Sequence, residues 1–110
     1  MEHLDSDFKG LVEEVRKGSH ASPTVIIKFA NNLQKGALRM MRKNKSIERE
    51  MMNIARAAKV IIGDITTNRP LHEIIGLAGS QLPIINDNLK AAAIKLKYQY
   101  QEIASLNLEY

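Results

Sequence analysis

The stretch KGALRMMRKNKSIEREMMNIARAAKVII, residues 35–62, decides the fold because a regular apolar pattern runs beneath its many basic residues. Apolar residues recur in alternating steps of three and four, the spacing of a helix that packs lengthwise on another helix. The pattern begins at Ile26 and continues without a slip to Ile65. This spacing predicts helix over most of residues 24–66.

One polar run inside this range, KNKS at residues 43–46, leaves two arrangements open. Residues 24–66 form either one long bent helix or two helices that keep the same register. The sequence favours a break here, because Ser46 can cap a new helix. Asn44 falls on the apolar face in both arrangements, as a capping residue or as a polar residue that sets the register.

Helical patterns also flank this range on both sides. A first helix is expected at about 5–17, and Ser22 with Pro23 predicts the start of a second. After residue 66, a short helix is expected at 70–78, stopped by Gly79, and a last helix from Pro83 to about 108. We therefore predict a single all-α domain over residues 1–110, a bundle of four or five helices with two long antiparallel heptad-like helices.

Composition limits the class of protein. The chain has 110 residues, of which 45% are hydrophobic, and it has no cysteine. It contains no apolar run long enough to span a membrane, and the polar start MEHLDSDFKG does not resemble a signal peptide. We expect a cytoplasmic protein whose modest core gains stability from partners or from further copies of itself.

The net charge of +4 is concentrated in what we call the basic segment, residues 35–59. Its positions Lys35, Arg42, Arg49 and Arg56 are seven residues apart, so one continuous helix would align them opposite the apolar face. Such a stripe is either a solvated outer face or a surface for nucleic acid or for an acidic partner. The candidate binding residues are Lys35, Arg39, Arg42, Lys43, Lys45, Arg49, Arg56 and Lys59.

The apolar residues of the two long helices form the second candidate surface, here called the apolar seam. Val60, Ile62 and Ile94 lie beside the strict pattern and widen the apolar face. The methionines adapt easily to different partners, although filling a core is their commoner role. The seam comprises Met40, Met41, Ile47, Met51, Met52, Ile54, Ile61, Ile62, Leu89, Leu96 and Ile103.

Residues with catalytic or metal-binding chemistry are sparse. The three histidines are His3, His20 and His72, and no two of them have the spacing of a metal site. Asp64 and Asp87 lie near helix ends, and no nucleophile or phosphate-loop motif is present. We therefore expect no metal, no cofactor and no enzymatic activity.

Two stretches, VRKGSHASPTVIIKFANNL (15–33) and AAKVIIGDITTNRPLHEIIGLAGSQL (57–82), resemble the N-terminal helical domain of the translation initiation factor 2B alpha/beta/delta and ribose bisphosphate isomerase family. The resemblance implies a helical bundle, and it implies phosphate contacts by Gly18, Ser19 and Arg69. Pro23 departs from the family pattern, and no threonine follows Pro70. The family's large α/β domain is not in this sequence, so the resemblance implies no catalysis.

The sequence thus predicts a non-enzymatic helical module that binds another protein and also itself. Two apolar heptad-like patterns and a widened apolar face are the basis for this expectation. Nucleic-acid binding through the basic segment is the alternative, and it predicts affinity that falls steeply with salt.

Overall fold

The computed structural model describes the backbone of residues 2–63 and 68–108 and the side chains of residues 3–63 and 68–98. Within these residues the fold is helical throughout and contains no strand, as predicted. Two short 3-10 turns, Gly18–His20 and Lys45–Ile47, precede the second and third α-helices. The four α-helices are α1 (Glu2–Arg16), α2 (Pro23–Lys43), α3 (Glu48–Ile62) and α4 (Leu71–Leu108).

The break predicted at residues 43–46 is present, so α2 and α3 are separate helices. Asn44 is extended at φ −143°, and its side-chain oxygen accepts a hydrogen bond from the backbone N–H of Ser46 at 3.0 Å. Asn44 therefore caps the 3-10 turn Lys45–Ile47. Ser46 does not cap α3, because the N-cap residue of α3 is Ile47, which makes no side-chain capping hydrogen bond. Because the connection is this short and α2 packs on α3, the chain turns back on itself here.

The start of α2 agrees with the prediction, and two helix ends differ from it. The Ser22 hydroxyl accepts a hydrogen bond from the Val25 N–H at 3.3 Å, and Pro23 is the first helical residue. The first helix covers Glu2–Arg16 instead of 5–17. The third stops at Ile62, before the expected residue 66, because Gly63 takes φ 62° and ψ −156°. Ile65 and Asp64 lie outside the described residues.

The prediction of separate helices at 70–78 and from Pro83 is wrong, because α4 is one helix of 38 residues. Gly79 keeps a helical backbone and does not end it. Pro83 removes one hydrogen bond, to the carbonyl oxygen of Gly79 four residues earlier. Gly79, Ser80 and Pro83 are all exposed, so water can satisfy that carbonyl. The cost of the proline is thereby reduced, and the helix continues.

The core is formed by all four helices: α2 packs on α3, α3 on α4 and α1 on α2, with a smaller contact between α1 and α4. Many of its members are alanines, which allow the helices to approach closely. Gly36 serves the same purpose, because a Cβ atom there would overlap Leu4 of α1. The large side chains that are fully buried are Leu4, Leu11, Ile26, Leu33, Ile47, Met51, Ile54, Ile61 and Ile85.

Candidate interaction surfaces

Half of the described apolar seam, five of ten residues, is buried in the core of the chain. Ile47, Met51, Ile54 and Ile61 are 0% exposed and Leu89 is 6% exposed. The side chain of Ile103 lies outside the described residues. The described seam therefore holds the helices of one chain together and offers a partner only its edges. Those edges are half-buried: Met40, Met41, Met52, Ile62 and Leu96.

A different set of large apolar side chains is exposed, and we call it the apolar ridge. Its members are Val60 on α3, 43% exposed, and Ile84, Ile94 and Tyr98 on α4, 42%, 56% and 68% exposed. Ile84 and Tyr98 are fourteen residues apart, close to four helical turns, so they lie on the same side of α4. Val60 and Ile94 were noted from the sequence as apolar residues beside the seam. Ile84 and Tyr98 were missed.

Two polar contacts join α3 to α4. Asn53 donates from Nδ2 to Oδ1 of Asn88 at 3.0 Å, and Asn88 donates to the carbonyl oxygen of Ile84 at 2.8 Å. Further along α4, Lys95 forms an ion pair with Glu50 near the start of α3. These contacts fix how α4 lies on α3, and hence which of its side chains remain exposed.

Glu50 is a buried carboxylate, with a side chain only 7% exposed, whereas Lys95 is 47% exposed. The hydrogen bond from Lys95 lowers the pKa of Glu50, and burial acts in the opposite direction. The Lys95 ammonium also donates to the carbonyl oxygen of Ser46 at 3.4 Å. One oxygen of Glu50, Oε2, has no hydrogen-bond partner among the described residues. Glu50 therefore depends on Lys95 for its charge compensation.

Replacing Lys95 with methionine is expected to lower the free energy of unfolding by about 1–2 kcal/mol at neutral pH, because Glu50 loses its partner. Folding lowers the pKa of Glu50, so the pair stabilises the protein above the ordinary glutamate pKa of 4.5. That contribution is lost as the pH falls through the lowered pKa. Urea unfolding from pH 7 to pH 3 measures both effects. Lys97→Met is the control, since Lys97 is exposed nearby, and an equal loss in both variants would contradict the pairing.

The eight candidate residues of the basic segment are all exposed. They do not form the continuous stripe that one long helix would give, because the chain turns at Asn44. Lys35 and Arg42 lie on α2, whereas Arg49 and Arg56 lie on α3. None of the eight forms an ion pair with a carboxylate of the described residues. Their charges are therefore available to an external anion, but from more than one face.

The three residues singled out by resemblance lie in short connections. Gly18, at φ 58°, and Ser19 belong to the 3-10 turn after α1. Arg69 precedes α4, and its Nη2 donates to the carbonyl oxygen of Ile61 at 2.7 Å. Arg69 thus already satisfies one free carbonyl at the end of α3. Phosphate contact by these residues stays a prediction.

Comparison of the chain with protein-family models, with curated proteins and with solved structures gives no match in any of the three. Within the described residues, no helix has both the length and the apolar character needed to cross a membrane.

Proposed function

We propose that this protein is a non-enzymatic helical interaction module that associates with itself and, through the same surface, with another protein. The observation that supports the proposal is the apolar ridge. Exposed apolar residues are common on protein surfaces when they are scattered singly. Among the described side chains, the four large exposed ones all lie on α3 and α4, and three of them lie on α4.

The length of α4 adds support. Lys95 reaches Glu50 and Ser46, at the start of α3, and α4 then continues for another thirteen residues to Leu108. At 1.5 Å per residue this is about 20 Å of helix beyond the point where α3 begins. The longest dimension of the molecule, 60 Å, is close to the length of α4 itself. An isolated helix is marginal in water, so packing against a partner stabilises a long helix.

We propose a symmetric dimer in which the α4 helices of two copies run antiparallel along the apolar ridge. A two-fold axis lets the same residues cover each other on both copies. The proposal includes an antiparallel arrangement of α3 and α4 within each copy, which is supported by the pairs Glu50–Lys95 and Asn53–Asn88. It also places the protein in the cytoplasm, in keeping with the lack of cysteine.

Substitution of Ile94 by glutamate tests this proposal, because it puts a charge into the ridge without touching the core. Light scattering coupled to size exclusion should give a dimer for the unchanged protein and a monomer for Ile94→Glu. Ala93→Glu is the matched control, since Ala93 is exposed one position earlier, and it should remain dimeric. A monomeric unchanged protein, or a dimer that survives Ile94→Glu, would contradict the proposed interface.

Nucleic-acid binding is a second candidate function, supported by the exposed cations of the basic segment, which form no ion pair with a carboxylate of the described residues. The same chromatography at about 50 mM and about 500 mM salt, with and without nuclease, distinguishes the two. Nuclease-sensitive material that is bound at low salt and shed at high salt would favour nucleic acid. Charge reversal at Arg42, Arg49 and Arg56 should then abolish that binding.

A further inference from the structure

A cleft of about 530 Å³ lies between the first half of α1 and the last half of α2. The α2 wall carries Lys35, Arg39 and Lys43, spaced four residues apart and therefore about 6 Å apart along one side of the helix. The α1 wall carries His3 and Asp7. This volume is within the range of small-molecule sites, about 300–1,000 Å³.

Part of the cleft lining is apolar. Leu4 is buried and Met40 is half-buried, and both line the cleft. Gly36 permits the close approach of the two helices, because any side chain there would overlap Leu4. The cleft therefore combines a cationic wall with an apolar surface on which a flat organic group can rest.

The described lining of the cleft has a positive net charge, because it has three basic side chains and one carboxylate. Lys35, Arg39 and Lys43 form no ion pair with a carboxylate of the described residues. Among the described residues, the lining has one carboxylate, Asp7, which accepts a hydrogen bond from Nδ2 of Asn32 at 3.5 Å. Three cations facing one carboxylate attract a ligand with more than one negative charge.

We propose that this cleft binds a nucleotide-sized molecule carrying neighbouring phosphoryl groups. The row of Lys35, Arg39 and Lys43 contacts the phosphoryl oxygens, for which guanidinium and ammonium groups are suited donors. Met40, which is half-buried in the lining, contacts the less polar part of the ligand. The site is separate from the apolar ridge, which lies on α3 and α4, so it is independent of the proposed self-association.

Titration of the full chain with ATP, with inorganic triphosphate and with adenosine, followed by calorimetry and by amide chemical shifts, tests the assignment. At about 50 mM salt, ATP and triphosphate should bind and adenosine should not, and binding should weaken as salt is raised. Arg39→Ala should weaken ATP binding about tenfold. Arg42→Ala is the matched control, because Arg42 is exposed on the same helix but does not line the cleft, and it should change the affinity less than about twofold.

Three results would overturn the proposal. The first is the absence of heat and of chemical-shift changes with both ATP and triphosphate. The second is an equal loss of affinity in Arg39→Ala and Arg42→Ala, which would show that ATP responds to the net charge of the protein and not to the cleft. The third is a single-stranded oligonucleotide that binds through Arg39 while ATP does not bind, which would assign the cleft to a nucleic-acid backbone.

Discussion

Alanine in place of Gly63 is expected to lower the free energy of unfolding by about 3 kcal/mol, although it adds only one methyl group. Gly63 ends α3 at φ 62° and ψ −156°. This backbone region is essentially restricted to glycine, and other residues pay about 1–3 kcal/mol to enter it. In addition, the new Cβ atom would overlap the guanidinium of Arg69. Arg69 would then lose its hydrogen bond to the carbonyl oxygen of Ile61.

Urea denaturation of Gly63→Ala and Gly18→Ala separates these causes. Gly18 also has positive φ, at 58°, but a Cβ atom there would meet nothing within 4 Å. Gly18→Ala is therefore expected to cost only about 1–2 kcal/mol, from the left-handed backbone alone. If the two variants lose equal stability, Arg69 does not secure the end of α3 in the way described.

Truncation of Ile54 to alanine is expected to cost about 3–4 kcal/mol, a large share of the stability of a domain of this size. Ile54 is 0% exposed and lies in the core near the middle of α3. The truncation leaves a cavity among side chains that cannot fully collapse into it, because several neighbours in the core are already alanines. The midpoint of thermal or urea unfolding measures the loss.

Comparison of Ile54→Ala with Ile94→Glu distinguishes a residue in the core of one chain from a residue in the proposed interface between two chains. Ile54→Ala should reduce the stability of the isolated chain and leave any remaining folded protein dimeric. Ile94→Glu should dissociate the dimer and leave the monomer folded, since Ile94 is 56% exposed. If Ile54→Ala instead produces a stable monomer, the apolar seam is an interface between chains and its assignment to the core is wrong.

The sequence was informative about elements whose signals are local. Ser22 and Pro23 marked the start of α2, and the polar run at residues 43–46 marked its end. The division of α4 was predicted wrongly, because glycine and proline were given their usual meaning as helix breakers. Whether Pro83 breaks a helix depends on tertiary packing and on water near Gly79, and neither can be read from the residues alone.

The candidate surfaces were harder to predict than the helices. Periodicity identified the seam as the side that packs, but it could not show that half of its described residues would be buried within one chain. Ile84 and Tyr98 lie outside the heptad-like apolar pattern, so their exposure was found only in the structure. The cleft lined by Lys35, Arg39 and Lys43 also depends on how α1 crosses α2, and His3 and Asp7 were not linked to those cations in the sequence.

The order in which the helices pack has a consequence for how fast the chain reaches its native state. Apart from the contact between α1 and α4, the main helix–helix contacts in the described part join helices that follow one another along the chain. Native contacts between neighbouring segments require only short loops to close, so little entropy is lost before they form. We therefore expect this chain to fold within microseconds to milliseconds, as helical domains dominated by local contacts do.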